Sequence, residues 1–475
     1  MKTYQDLQAV GTAEKDRMEF VRSVISDHKG SAVYRMAFVA QQYYRGRNVT
    51  ISNYQKLIYD AFGRAVPDIW SPNHKIPCHM YKYLVNQCAV TLLGNGVSFT
   101  DEDTKKKLGK GFDGMALLAL IDALNGAVSY AFVEEDAITR FSVLEFAALK
   151  DEETSAIRAG VRFWRLDSSR PLRATLYEED GFTEYIQRRG KPMEVRREKR
   201  AYVIVKQSSD ADEEETIVEE RNYSGFPIVP LYNVDHISEL ENNRELHDAL
   251  DLVLSGLINN TDAGEIIYWL CKNSEAMDQP SLNRLLQTLK TAHIVSVEES
   301  DDIEAHSVAV NVNASKESIE QLRQQIFDNH MGLDVRNIAS GAATATQIKA
   351  AYEPNDIKIS LLEPQVTEFI QGILALRGIE DDPTYTPSRI INQAEMVNTI
   401  VAAGDNLSQE YKTRKILDIL GDQDKADEVL KQMDAEESSR YSTEAGSDNG
   451  DENEGDDENA GSKPVTGFAG AQPAE

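Results

Sequence analysis

Apolar positions along the chain change their period several times, and those changes mark out its elements. Residues 1–72 follow a helical pattern, with aromatic patches at Tyr43-Tyr44 and Tyr54. Gly46, then Val49 and Ile51, suggest a turn into a short extended piece. After the loop around Pro72 and Pro77, Tyr81, Leu84, Val85 and Cys88 share one helix face, which Leu93-Gly94-Asn95-Gly96 ends. Val97-Ser98-Phe99 starts a strand, and residues 115–125 form another amphipathic helix. From Val128 to Val205 the pattern is strand-like. Phe226 to Leu231 is extended and bounded by prolines, so it fits only a sheet edge.

The chain then changes character. Leu246, Leu250, Val253 and Leu257 recur at three and four residues, a helix stripe that the pattern allows to run to Leu270. Residues 271–313 read as a small mixed module, with a helix near Leu282–Leu289 and short strands at His293–Val297 and His306–Val310. A second helix, capped by Asn313 or Ser315, carries Ile319, Leu322 and Ile326. A glycine-punctuated loop follows, from Gly332 to Gly341. Helix resumes near Thr344. Pro354 is expected to break or kink it, and Ser360 with Glu363 has the spacing of a new start, where Pro364 is tolerable. Leu362, Val366, Phe369, Ile370 and Ile373 form the next stripe, and residues 388–433 add two or three short helices. The pattern is that of an α+β, mainly α, multi-domain chain.

Charge adds one fact. The net charge is −29, and eleven Asp and Glu between Asp434 and Glu458 face only Arg440. Such a tail cannot bury apolar area and is expected to be disordered. Strong acidity argues against tight, sequence-specific DNA binding, which needs cations on phosphates, but not against a protein past which DNA slides. Cys78, Cys88 and Cys271 form no CxxC pair and suggest no disulfide framework. No apolar run reaches the length of a membrane span, and the N-terminus does not read as a signal peptide.

Candidate chemistry is sparse. Gly109-Lys110-Gly111-Phe112-Asp113-Gly114 matches GxGxxG, but the lysine-rich stretch before it is no buried strand, as a dinucleotide site requires. There is no GxxxxGK[ST], no GxSxG and no HExxH. His74, Cys78 and His79 crowd together without a partner pair elsewhere, which reads as a loop rather than a metal site. Arg196 to Arg200 is the densest basic cluster and reads as a solvated turn or an ion-pair surface between copies. Neither a catalytic set, a metal nor a cofactor is assigned.

The order of segments is what resembles a known family. Tyr43-Tyr44-Arg45-Gly46, Asn73-His74-Lys75-Ile76-Pro77, Leu93 to Phe99, and Gly225 to Asn233 followed by Ser238-Glu239-Leu240-Glu241 occur in sequence. Leu246 to Asp251 with Ser255 and Asn259-Asn260, and Thr344-Ala345-Thr346-Gln347-Ile348, complete the series. Together they resemble portal proteins of tailed bacteriophages, of the type found in siphophages of Gram-positive hosts, over roughly residues 40–380. Where some members carry Ser-Gly-x-Ala-Leu-Lys, this chain has Ser340-Gly341-Ala342-Ala343.

The resemblance implies a non-enzymatic subunit of a homo-oligomeric ring, usually of twelve, at one capsid vertex of the virion, assembled in the host cytoplasm. It divides the chain into a wing (1–241), stem helices (242–270 and 314–331), a clip (271–313), a tunnel loop (332–343), a kinked helix back to the wing (344–380), a crown (385–435) and the acidic tail (436–475). Implied partners are double-stranded DNA in the channel, the terminase large subunit, the major capsid and scaffold proteins, and a head-completion adaptor; no membrane is involved. Asp334, Val335, Arg336, Asn337, Ile338, Ser340 and Gly341 would line the channel, and Pro354 and Pro364 would act as a hinge. Arg336 could touch phosphate or pair with Asp334 of a neighbouring copy. The competing reading is a capsid-associated scaffold protein without a DNA channel.

Overall fold

The structure, a computed structural model, describes residues 2–11, 13–59, 63–69, 71–209, 212–263, 266–272, 280–281, 283–284, 302–308, 312–336, 345–388, 397, 400–402, 407–420 and 425–444. They fall into two compact units, Met1–Arg389 and Ile390–Glu475.

The first unit opens with helices α1 (Tyr4–Ala9), α2 (Glu14–Gly30), α3 (Ala32–Tyr44) and α4 (Val49–Asn53). Side chains fix where they begin. Thr3 and Asp6 form a capping box on α1, Ser31 caps α3, and Asn48 caps α4 by accepting from the Ile51 amide. The extended piece expected at Val49 and Ile51 is therefore a helical turn: Asn48 caps it, and Ile51 is buried. An isolated hairpin of β1 (Leu57–Tyr59) and β2 (Ala65–Pro67) then interrupts the helical stretch expected to reach residue 72.

Helices α5 (Met80–Leu93), α6 (Glu102–Leu108) and α7 (Phe112–Gly126) follow, with β3 (Val97–Ser98) between the first two. The strand-rich region forms two antiparallel sheets. β13 (Ile228–Tyr232), β4 (Val128–Val133) and β5 (Ile138–Ser142) make a three-stranded sheet in that order. β13 is an edge strand, as its Pro230 requires. The second sheet has the order β10 (Met193–Arg200), β9 (Gly181–Gln187), β8 (Leu172–Glu178), β7 (Ile157–Trp164) and β6 (Phe146–Lys150). Helix α2 buries Phe20, Val21, Val24 and Ile25 against Leu149, Val161, Phe163 and Leu176 of this sheet. β11 (Val203–Ser209) and β12 (Asp212–Arg221) leave it as a separate two-stranded ribbon.

The chain leaves this body through α8 (Arg244–Ala263), a hairpin of β14 (Ile266–Lys272) and β15 (Asp302–Val308), and α9 (Val312–Asn329). The helix expected to reach Leu270 thus ends at Ala263. Ile266 to Trp269 is β-branched and aromatic, and it pairs as a strand with residues 305–308. The helix expected at 282–289 and the strand at 293–297 lie largely or wholly outside the described residues.

The chain returns in α10 (Ala345–Leu376), 32 residues long with Pro354 and Pro364 inside it. The interruption expected at these prolines is absent. Ser360 is no cap, because its hydroxyl donates back to the Asp356 carbonyl at 2.8 Å. Packing overrides the lost ladder bonds: Ile359, Leu362, Val366, Phe369, Ile370 and Ile373 sit in one core with Tyr81, Val85, Leu120 and Leu124. A short β16 (Thr384–Tyr385) pairs with β3.

The second unit contains α11 (Gln409–Leu420) and α12 (Ala426–Glu444). Arg414 bridges them through Asp427 at 2.9 Å. Helix α12 runs through residues 436–444, which the sequence assigned to the disordered tail; residues 445–475 lie outside the described set.

Candidate functional site: the root of a two-helix stalk

Helices α8 and α9 pack antiparallel, because the start of one meets the end of the other. Leu246, Leu250, Ile319, Leu322 and Ile326 gather there with Leu254, Phe327, Met80 and Leu84. The expected stem positions Val253 and Leu257 are half-buried and lie outside this cluster.

The opposite face of α8 is polar at helical spacing and holds an extended strap, residues 74–78. Asp251 accepts from the Cys78 amide at 2.8 Å, Ser255 from the Ile76 amide at 3.0 Å and Asn259 from the His74 amide at 2.6 Å. Asp262 takes the His74 imidazole at 2.9 Å. Asn48 adds two bonds to the same helix, at 2.9 Å to Asp248 and 2.8 Å to Asp251, and Tyr43 donates to Asp248. Offsets of three and four along α8 put these acceptors in one row, where they satisfy backbone donors that an extended strap cannot satisfy itself. His74 and Cys78 thus serve the strap. The Cys78 thiol is pushed up to about 11, chiefly by burial, which keeps it a neutral thiol. Gly46, at φ +74°, lies where the His79 ring would overlap any Cβ, 2.0 Å away.

A buried charge network locks the root of the stalk. Lys358 of α10 donates to Glu239 at 2.6 Å and to the His330 carbonyl at 3.0 Å. His330, at the end of α9, places Nδ1 3.4 Å from the same carboxylate and Nε2 3.1 Å from Nε2 of His247 on α8. Asn233 donates to the other carboxylate oxygen at 3.2 Å, and the Tyr81 ring meets His247 edge-on. Burial alone would raise the Glu239 carboxyl, but Lys358 and His330 outweigh it and hold it at about 2. The opposite balance operates on Lys358, where burial works against a charge that Glu239 sustains, and its pKa is raised. Burial, then His330, pushes His247 down to about 3, and burial lowers His330 as well. Both imidazoles are therefore neutral. His330 turns Nδ1–H to the carboxylate, so its Nε2 accepts and His247 donates. A cavity of about 270 Å³, lined in part by Asn243, Asn329 and Met331, opens beside the network.

Gln87 fixes the chain just beyond α9. Its amide accepts from the Leu333 amide at 2.9 Å and donates to the Leu333 carbonyl at 2.8 Å. A Cβ at Gly332 would lie 2.4 Å from the Leu84 side chain, so only glycine lets the loop turn against α5 here. Beyond it, Arg336 pairs with Asp334 of its own chain at 3.0 Å and with Glu320 at 3.2 Å. The pairing that sequence offered only between copies is met within one. Val335 is described beside them, but Asn337, Ile338, Ser340 and Gly341 are not.

The other sequence candidates have structural roles. Gly109 and Gly111 cap the junction of α6 and α7, and Asp113 accepts from the Val97 amide and pairs with Lys105. Within the Arg196–Arg200 cluster, Arg196, Arg197 and Arg200 converge on Glu184, and Lys199 reaches Glu178 and Asp180. Sequence reasoning missed the network. Lys358, one position before buried Ile359, was its one local signal: a cation set in an apolar stripe.

A family model described as phage portal protein, SPP1 Gp6-like, matches residues 27–441. The portal protein of Clostridium phage phiCD119 is 26% identical over 192 residues, which cover 38% of this chain and 43% of that relative's length, so the match spans less than half of the curated relative. Among solved structures, the neck of the native gene transfer agent particle, computed with C12 symmetry, is similar with a TM-score of 0.38 and 12% identity over 78% of this chain and 98% of that chain. The virion of the native gene transfer agent particle gives 0.37 and 11% over 71% and 87%. With the family model covering most of its length, the chain belongs to the SPP1 Gp6-like phage portal protein family.

Proposed function

We propose that this chain builds the portal ring at one vertex of the phage capsid, through which double-stranded DNA enters and leaves. The observation that carries the reading is the stalk: two antiparallel helices, tipped by the β14–β15 hairpin and rooted in the Glu239–Lys358–His330–His247 network. Copies repeated by a closing rotation would set the stalks side by side around a channel.

In this reading residues 1–241 are the wing, α8 and α9 the stem, the segment between them the clip, and residues 385–435 the crown. The clip docks the terminase motor during packaging and the head-completion adaptor afterwards; capsid and scaffold proteins meet the rest of the ring. The loop from Asp334 to Gly341 faces the channel. Arg336 is already neutralised by Asp334 and Glu320, so it offers DNA no lasting anchor, and the polyanion slides. Pro354 and Pro364 each remove a ladder donor from α10, which makes their neighbourhood the place where that helix bends when the loop moves.

Negative-stain imaging of the purified protein tests this. Rings with a through-hole wide enough for duplex DNA are expected. Closed shells, filaments or rings without a hole would instead support a scaffold protein with no channel.

A further inference from the structure

Five elements of the first unit close on a cavity of about 320 Å³ that shares no residue with the stalk. In the pairing of β13 with β4, Tyr232 lies opposite Val128 and Pro230 opposite Tyr130, so Val128, Tyr130 and Tyr232 stand on one face of the three-stranded sheet. They form one wall of the cavity. Ala148 and Lys150 of β6, Val33 of α3 and His28 of α2 complete it. The His28 Nε2–H donates to the Val143 carbonyl at 2.7 Å, and burial lowers the pKa of the imidazole, so the ring fixes its wall without charging it.

Strand β4 is buried at all six positions, so each polar group on it needs a partner. Ser129 has one: its hydroxyl donates to the Ala119 carbonyl at 2.7 Å. The neighbouring Tyr130 is only 4% exposed, and among the described residues nothing accepts from its hydroxyl. Burial, then Tyr232, pushes the phenol pKa up, so it keeps its proton and stands as an unused donor. Tyr43 and Tyr44, by contrast, donate to Asp248 and Asn86. Two cations line the same cavity. Neither Lys2 nor Lys150 has an acidic partner among the described residues, although the chain has 79 Asp and Glu to offer its 50 Lys and Arg. The carboxylates that follow Lys150 in sequence are engaged elsewhere: Asp151 accepts from Gln5 at 2.9 Å and Glu152 from Thr3 at 2.8 Å. The Lys150 nitrogen lies instead 5.3 Å from the centre of the Tyr232 ring, on which His236 stacks at 4.3 Å.

These features select a ligand. Valine, alanine and two tyrosine rings favour a flat apolar body. An unused phenol donor beside unpaired ammonium groups favours an anion, and a carboxylate takes both kinds of contact at once. A cavity of about 150 Å³ holds benzene, so a space twice as large suits two fused rings. We propose that this cavity binds a small aromatic carboxylate, its rings among Val33, Val128, Val143 and Ala148 and its carboxylate accepting from the Tyr130 hydroxyl and pairing with Lys150. The site lies outside the portal reading and does not depend on it.

The test titrates the full chain with 2-naphthoate and follows the ligand's fluorescence. Saturable binding of one molecule per subunit is expected. Tyr130→Phe, which keeps the ring, and Lys150→Met, at an exposed position, should each weaken it by about tenfold while keeping the wild-type circular dichroism spectrum. The neutral analogue 2-naphthalenemethanol should bind wild type about tenfold more weakly than the acid, for the same reason. No saturation at millimolar 2-naphthoate overturns the proposal. So does an unchanged affinity in either folded variant, which would put the ligand elsewhere. Equal binding of the alcohol and the acid would leave an apolar cavity with no carboxylate subsite, and also overturns it.

Discussion

His247 Nε2 lies 3.1 Å from His330 Nε2, with both rings buried at the root of the stalk. One N–H holds the start of α8 to the end of α9, and a second proton between the two nitrogens would set two N–H groups face to face and leave that bond without an acceptor. The groups facing the pair are Glu239, Lys358 and Tyr81, and of these only Glu239 can offset an added charge.

Stability should therefore fall with acidification. The unfolded His247 takes up a proton near its ordinary 6.5, and the folded one only near 3, so its contribution is complete above pH 6.5 and shrinks as the pH drops toward 3. At pH 5 the loss from this residue is about 2 kcal/mol. Glu239 adds a further loss below its ordinary 4.5, continuing toward 2. Denaturant titrations at pH 7 and pH 5 check this. His247→Gln should flatten the difference, and an unchanged slope in that variant would remove His247 from the account.

Lys358→Met should cost about 3–5 kcal/mol, because it strands a buried carboxylate. Adding Glu239→Gln should recover much of that loss in the same urea titration. Additive losses would mean that the two groups do not act as a pair.

The strap gives a graded series. Asp251→Ala removes an acceptor from Asn48 and the Cys78 amide and is expected to cost about 2–4 kcal/mol; Ser255→Ala removes one from Ile76 and should cost about 1 kcal/mol. Equal effects in chemical unfolding would deny Asp251 its dual role.

Replacing Pro354 or Pro364 by Ala restores a ladder donor in α10 and should raise stability by about 1–3 kcal/mol. If bending there accompanies DNA passage, particles carrying the stiffened helix package less DNA than wild type. Stabilisation with full packaging would sink the hinge.

Arg336→Ala should change stability by less than about 1 kcal/mol, since both of its ion pairs are exposed on the arginine side. Packaging and retention of DNA should stay at the wild-type level. A packaging defect would show that the arginine leaves Asp334 for phosphate.

Much was fixed locally and could be read from the chain. The stripes Leu246–Leu250 and Ile319–Ile326 specify two helices because a period near 3.6 leaves few alternatives, and Pro230 confines β13 to an edge because it lacks a donor. The order of short motifs carried the family, since it survives without any one motif being distinctive. Other features depended on partners distant in sequence. Asn48 makes a helical turn of Val49–Asn53 while also binding α8, some 200 residues on. The core around Phe369 keeps α10 continuous through two prolines that locally argue for a break. Glu239, His247, His330 and Lys358 span 120 positions (239–358), and no local pattern pairs them. Local sequence sets which elements form, because period and capping act within a few residues. Tertiary packing decides which polar groups are buried together, because that depends on where distant elements meet.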